Sequence, residues 1–468
     1  MSGEVRLGPF VLDAILGRGG MGVVWRAVHS GQGLPVAIKV LTSASAREEA
    51  FVASFHNEVH AAARLDHPGV VLILDAGVVS EEAAAASGST LAAGSPWLAM
   101  ELLDGGALDA ARWGSSWDDV RALLLALLDA LGHAHARGVT HRDLTPGNVL
   151  FAGADSDAPG PRIADFGLAS SRALDANPVD PTRTGASSAA EDIGSVHYMA
   201  PEQRTEADAD QGPWSDLYAL GCIAWELVCG ERPFPGHDLY AVTWAHLNGR
   251  LQPFRPRFGV PPGVEGWLRR MLARSPRDRF QSAAASALFL RGVERGVGSG
   301  LGVLAALPSD WRRTERPPRS GRLLGAGLGL FGLRSPPLVD REPARDLLWS
   351  ELRSAVAHGA PRCVVLHGGP GIGKSRLARW LAERAEESAG ARVLRADWGP
   401  LPGQAAGLGP MIARALRCHG LTGADLALRI EAEVRALGGS DPYEWRALAA
   451  LVGSTESGTA PQGLPRIG

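Results

Sequence analysis

Cysteine is scarce in this chain of 468 residues: Cys222, Cys229, Cys363 and Cys418 are the four present. They are too few and too scattered for a disulfide framework or a metal cluster, and all four are compatible with buried thiols in a reducing compartment. Net charge is equally slight at -3, so bulk electrostatics exclude neither solubility nor small partners but give no reason to expect nucleic acid or an anionic membrane. Long apolar runs are missing as well. The longest, Leu323 to Leu333, is glycine-rich and well short of the roughly 20 residues a membrane span needs. The opening Met1-Ser2-Gly3-Glu4-Val5-Arg6-Leu7 lacks the basic-then-apolar layout of a signal peptide. Together these absences predict a cytoplasmic protein with no membrane span. What remains, 45% hydrophobic and 21% charged residues, is ordinary globular composition, enough for two or more domains with full cores.

The patterning divides the chain into four stretches. Residues 1–103 read as a small β-rich lobe, strand-like except for one helix around Ala46 to Leu65, where Phe51, Phe55, Glu58 and Ala62 recur at helical spacing and turn one carboxylate inward. Glu81 to Ser95 reads as an inserted loop, since its alanines and serines carry no periodicity. Residues 104–291 are helical, with Asp118 to Arg137 stopping at Gly138 and Ser215 to Val228 stopping near Gly230. Residues 292–335, rich in Gly, Pro and Arg, read as a linker and solvated basic tether. Residues 336–468 hold a strand at Cys363 to His367, a glycine loop, a helix from Ser375 to Ala389, and a tail from Gly453 to Gly468 expected to be disordered.

An ordered series of short motifs fills the first two stretches. Gly17, Gly19 and Gly22 are followed by a strand through Val24, not by a helix, so the glycines are expected at the tip of a β-hairpin whose amides lie over phosphates. The next strand carries Lys39 among Ala37, Ile38 and Val40. A charged amine in apolar company needs a partner, and Glu58 is the expected one, so that the ammonium is positioned on the α- and β-phosphates of ATP. Asp143 follows a buried helix and is trailed by Asn148, while Asp165 precedes Phe166 and Gly167. One carboxylate can orient an incoming hydroxyl; Asn148 and Asp165 offer the oxygen ligands that suit Mg²⁺. His141 is expected to pack and not to act as a base.

With these motifs in order, and with Ala200-Pro201-Glu202 and Arg279 beyond them, residues from about Leu7 to Leu290 resemble a bacterial member of the eukaryotic-type (Hanks-type) Ser/Thr protein kinases. The resemblance implies an α+β two-lobed fold, ATP bound at a hinge near Met100, Glu101 and Leu103, protein substrates with Ser or Thr acceptors, a Glu202–Arg279 pair, and Asp216 bracing the catalytic loop. It further implies autophosphorylation in the segment that holds Thr182, Thr184, Ser187 and Ser188; doing so in trans would make a dimer one partner state. Two positions depart from the family: Thr145 stands where a lysine is usual, and Ser195 where threonine is usual. Losing that cation points to a slower enzyme. It also motivates the alternative of a nucleotide-binding signalling scaffold with little phosphotransfer.

A second nucleotide site is expected at Gly368-Gly369-Pro370-Gly371-Ile372-Gly373-Lys374-Ser375. This is the full P-loop pattern, with Lys374 for the β- and γ-phosphates and Ser375 for Mg²⁺. From Pro336 onward the chain resembles the start of the AAA-type signalling ATPases that bacteria fuse behind kinase domains, giving a partial α/β P-loop domain. No apolar strand ending in paired acids follows Lys374, so hydrolysis there is not expected.

Overall fold

The computed structural model describes residues 4–19, 22–42, 49–88, 90–111, 113–153, 160–166, 194–204, 210–236, 238–293, 307–314, 323, 325–327, 330, 338–389, 391–397, 407–418 and 420–457. Two compact units are formed, one by residues 1–201 with 212–391 and the other by residues 202–211 with 392–468.

The first unit opens with a six-stranded antiparallel sheet in the order β1-β2-β3-β4-β6-β5, made of β1 Arg6–Leu7, β2 Phe10–Gly19, β3 Gly22–His29, β4 Pro35–Leu41, β5 Ile73–Val78 and β6 Pro96–Glu101. One face buries Phe10, Ala27, Val36, Ile38, Val40 and Trp97. The other receives helix α1, Glu49–Ala62, through Phe55, Val59 and Ala62, of which Phe55 and Ala62 belong to the helical face expected from the sequence. The alanine run predicted as a loop forms instead a short helix, α2, Glu81–Ala86, because Ser80 accepts a hydrogen bond from Ala83 N and caps it.

Helix α3, Trp117–Ala136, starts the helical lobe with a capping box in which Ser116 and Asp119 satisfy each other's backbone N–H. It buries Leu123, Leu124, Leu127, Leu128 and Leu131 and stops before Gly138, which takes the left-handed conformation at φ 74°. The small hairpin β7 Val149–Phe151 and β8 Pro161–Ile163 follows. Then come α4 Pro213–Cys229, α5 Leu239–Asn248, α6 Gly263–Met271 and α7 Ala283–Gly292. Helix α4 is the buried axis of this lobe, with Leu217, Tyr218, Leu220, Ile223, Trp225 and Leu227 fully inside.

Several described residues of the stretch read as a solvated tether are packed. Leu323 and Ala326 lie against the sheet's core, Leu330 joins the main core, and Trp311 is buried with Trp349. Glycine and arginine hid this because the anchors are isolated apolar residues without a period. Next come α8, Glu342–His358, and α9, Lys374–Ala389. Arg345 of α8 is buried between the rings of Trp311, 3.5 Å away, and Trp380 of α9, 4.8 Å away; burial pushes its pKa down to about 10. The strand expected at Cys363–His367 has no ladder partner among the described residues, and Val365 is 82% exposed. A parallel strand exists only beside a neighbour, and residues 338–457 form helices alone where they are described. Cys363 is likewise exposed and Cys229 half-buried, which leaves Cys222 and Cys418 as the buried thiols.

In the second unit α10 Leu408–Ala415, α11 Gly423–Ala436 and α12 Pro442–Ser457 pack around Ile430, Leu426, Trp445 and Val452. Helix α12 thus covers the first residues of the stretch expected to be a disordered tail, and residues 458–468 lie outside the described residues. The division at residue 391 falls inside the stretch 336–468 that the sequence presented as one domain.

Candidate active site

Strands β2 and β3 form the predicted hairpin, with Gly17 opposite Val24 and Gly19 opposite Gly22; Gly20 and Met21 at its tip lie outside the described residues. Gly22 is needed for a close approach, since a Cβ there would sit 2.1 Å from the carbonyl oxygen of Val40. Lys39 lies opposite Val24 on one side and Leu98 on the other, and Ala37 opposite Met100. Glycine hairpin, lysine strand and hinge strand are therefore adjacent ribbons of one sheet.

Lys39 is largely buried, and its ion pair is with Asp165, Nζ to Oδ2 at 2.6 Å. Glu58, the partner expected from the sequence, sits half-buried on α1. Asp165 adopts φ 58° and Arg142 φ 66°. Left-handed backbone at non-glycine residues costs about 1–3 kcal/mol each and persists where surrounding structure enforces it. The enforcement is visible at Arg142. Asp216, fully buried near the start of α4, accepts the backbone N–H of His141 at Oδ2 and of Arg142 at Oδ1, each at 2.8 Å, so the chain must turn sharply around one carboxylate.

Burial by itself would raise the Asp216 pKa, but the hydrogen bond from His135 and the nearby His135 and His141 rings bring it below the usual carboxylate range. His135 Nε2 lies 2.7 Å from Asp216 Oδ2. Nothing in the sequence marked His135; its role comes from a contact across 81 positions. His141 is fully buried, its Nε2 2.7 Å from the Ala164 carbonyl and its Nδ1 accepting from Asp143 N at 3.3 Å. Both ring nitrogens are thus committed to the backbone, the packing role expected of it.

Asp143 is half-buried. Ser195 Oγ donates to its Oδ1 at 2.6 Å, and Asn148 Nδ2 donates to its carbonyl oxygen at 2.8 Å. The carbonyl of Asn148 in turn accepts from Ala164 N at 2.8 Å, immediately before Asp165. Lys39, Asp165, Asn148 and Asp143 are thereby joined by one short run of contacts. At the hinge, Glu101 accepts from Leu72 N at Oε1 (2.7 Å) and pairs through Oε2 with Arg162 of β8, a residue the motifs did not indicate. Leu103 is half-buried just beyond β6. Gly167 and the expected phosphoacceptors Thr182, Thr184, Ser187 and Ser188 lie outside the described residues.

The P-loop pattern lies elsewhere in the chain. Gly368, Gly371 and Gly373 have φ of 155°, 77° and 97°, and Lys374 donates to the carbonyls of Gly368 at 2.8 Å and Gly369 at 2.7 Å. Ser375 is exposed at the first turn of α9. A cavity of about 620 Å³ among Trp113, Asp119, Phe151 and Pro161 shares no residue with either constellation.

The family model for the protein kinase domain matches residues 10–287, and that for the AAA ATPase domain matches residues 337–459. Serine/threonine-protein kinase PknA of Mycobacterium tuberculosis is 34% identical over 73% of this chain and 77% of its own length. Pkn1 of Myxococcus xanthus is 36% identical over 60% of this chain, though that match spans 38% of Pkn1. Among solved structures, the PknI kinase domain of M. tuberculosis is similar at 28% identity and a TM-score of 0.44, over 63% of this chain and 99% of that one.

Proposed function

Because the chain belongs to the protein kinase domain family, we propose that it transfers the γ-phosphoryl of Mg-ATP to Ser and Thr hydroxyls of protein substrates. The observation that carries this reading is the contact run from Lys39 through Asp165 and Asn148 to Asp143. Asp143, its Oδ1 held by Ser195, would orient the acceptor hydroxyl and take its proton. The carboxylate of Asp165 and the amide oxygen of Asn148 form a donor set that fits Mg²⁺, and the ion when bound would neutralise charge on the transferring phosphoryl. Lys39 supplies a cation already beside that donor set, and a move toward Glu58 would free Asp165 for the metal. Met100, Glu101 and Leu103 would present the hinge backbone to the adenine, while the Glu101–Arg162 pair stiffens it.

The experiment that tests this is transfer of labelled γ-phosphate to the chain itself and to a generic basic protein, native against Asp143→Asn. Label in the native protein alone supports the kinase. Equal background labelling in both would favour the scaffold reading, which Thr145 and the Lys39–Asp165 pair support. Autophosphorylation of Thr182, Thr184, Ser187 or Ser188 follows from the same reading, and mass spectrometry after incubation with ATP checks it. A dimer for trans-autophosphorylation is supported by the exposed Tyr240, Trp244 and Leu247 at turn spacing on α5. The P-loop residues Gly368, Gly373, Lys374 and Ser375 would hold a second nucleotide with its Mg²⁺. No described helix is long and apolar enough to cross a membrane.

A further inference from the structure

A charged cluster at the end of α3 shares no residue with the candidate active site. Arg137, the C-cap of α3, donates to the carbonyl of His133 at 2.8 Å, pairs with Glu387 of α9, and reaches Glu383 one turn earlier at 3.2 Å. Glu387 is only 12% exposed and is shared three ways, since Arg384 lies 2.6 Å from its Oε2 and His133 Nδ1 lies 3.2 Å from its Oε1. Burial would raise the Glu387 pKa, but the His133 hydrogen bond and the Arg384 and Arg137 charges hold it down to about 2. Burial pushes His133 down to about 3, so its neutral ring donates to an ionised carboxylate. A buried carboxylate is tolerated only where such partners surround it, and removing one partner is strongly destabilising. Glu387 therefore fixes where α9 lies on α3.

The last turn of α3 faces two ways. His133 and Arg137, four residues apart, meet α9; His135, between them, meets Asp216, the carboxylate that holds the backbone of His141 and Arg142. Through His135 and Asp216 that turn is linked to the loop that carries Asp143. At its opposite end α9 begins with Lys374 of the P-loop.

We propose that α9 is an intramolecular clamp, docked on the last turn of α3 through Glu387, and that this contact raises turnover by ordering the catalytic loop. The effect on turnover rests on the kinase reading above; the docking does not. In the full chain, Glu387→Lys should speed amide hydrogen exchange across residues 374–389 and at the His141 and Arg142 amides by about tenfold or more, and lower kcat by about 5–150-fold, the usual span of coupling between sites. KM for ATP should stay within about twofold, because Lys39 and the glycine hairpin are in the other lobe. Adding Arg137→Glu restores opposite charges and should recover part of both losses. If Glu387→Lys fails to fold, the near-isosteric Glu387→Gln replaces it, with the same effects in the same direction. Unchanged exchange across residues 374–389 would overturn the docking; faster exchange there with unchanged kcat and unchanged His141 and Arg142 amides would overturn the clamp. A native protein without phosphoryl transfer would sink the kinase reading instead, while the exchange data, which need no turnover, still decide the docking and the ordering.

Discussion

At the scale of single residues, Asp143→Asn should lower kcat about a thousandfold, or about 4 kcal/mol of barrier, while the melting temperature barely moves, because the side chain's bond to Ser195 survives as an amide contact. Thr145→Lys would supply the cation that the kinase resemblance leads one to expect near the transferring phosphoryl, and is expected to raise kcat on the order of tenfold, read by steady-state kinetics. Gly22→Ala should impair both folding and ATP affinity, since the new methyl would meet the Val40 carbonyl in the adjacent strand; thermal melting and nucleotide titration measure the two parts. The candidate site's residue types could be proposed from the sequence because phosphoryl transfer needs a few groups at short, fixed spacing: Asp143 with Asn148, Asp165 with Phe166. The partner of Lys39 was not, for the Asp165 contact spans 126 positions and depends on how the lobes close.

At the scale of elements, α3 was legible from its leucine period and its glycine stop, and the β2–β3 hairpin from a glycine series followed by β-branched residues. The Ser80 cap that turned an alanine run into α2 was a one-residue signal, outweighed by the lack of periodicity around it. The strand at Cys363–His367 shows the opposite case: local propensity was right for β structure, but a ladder needs a second strand and the described residues provide none. Removing the box that starts α3 with Ser116→Ala should cost about 1 kcal/mol in a denaturant titration without changing KM, because the cap lies at the far end of the helix from the catalytic loop.

At the scale of the whole molecule, the pairings least visible in the sequence are those that hold distant segments together, Arg137 with Glu387 across 250 positions and Trp311 with Arg345 and Trp380. Their titration sets an acid limit. His133 and Glu387 have folded-state pKa values of about 3 and about 2, below the ordinary 6.5 and 4.5. The unfolded chain therefore binds more protons, and each contribution is lost as pH falls, His133 from 6.5 downward and Glu387 from 4.5 downward. Glu386, raised to about 6 by burial, acts in the opposite sense between 6 and 4.5. The melting temperature should thus change little from pH 7 to 5 and drop below pH 4.5, and Glu387→Gln should flatten that drop in a calorimetric series. The uneven placement of the thiols has a practical corollary. With Cys222 and Cys418 enclosed and Cys363 open just ahead of the P-loop glycines, a maleimide dye applied briefly to the native protein should settle first at Cys363, and its emission would then report whether nucleotide arrives at Lys374, without any engineered tag.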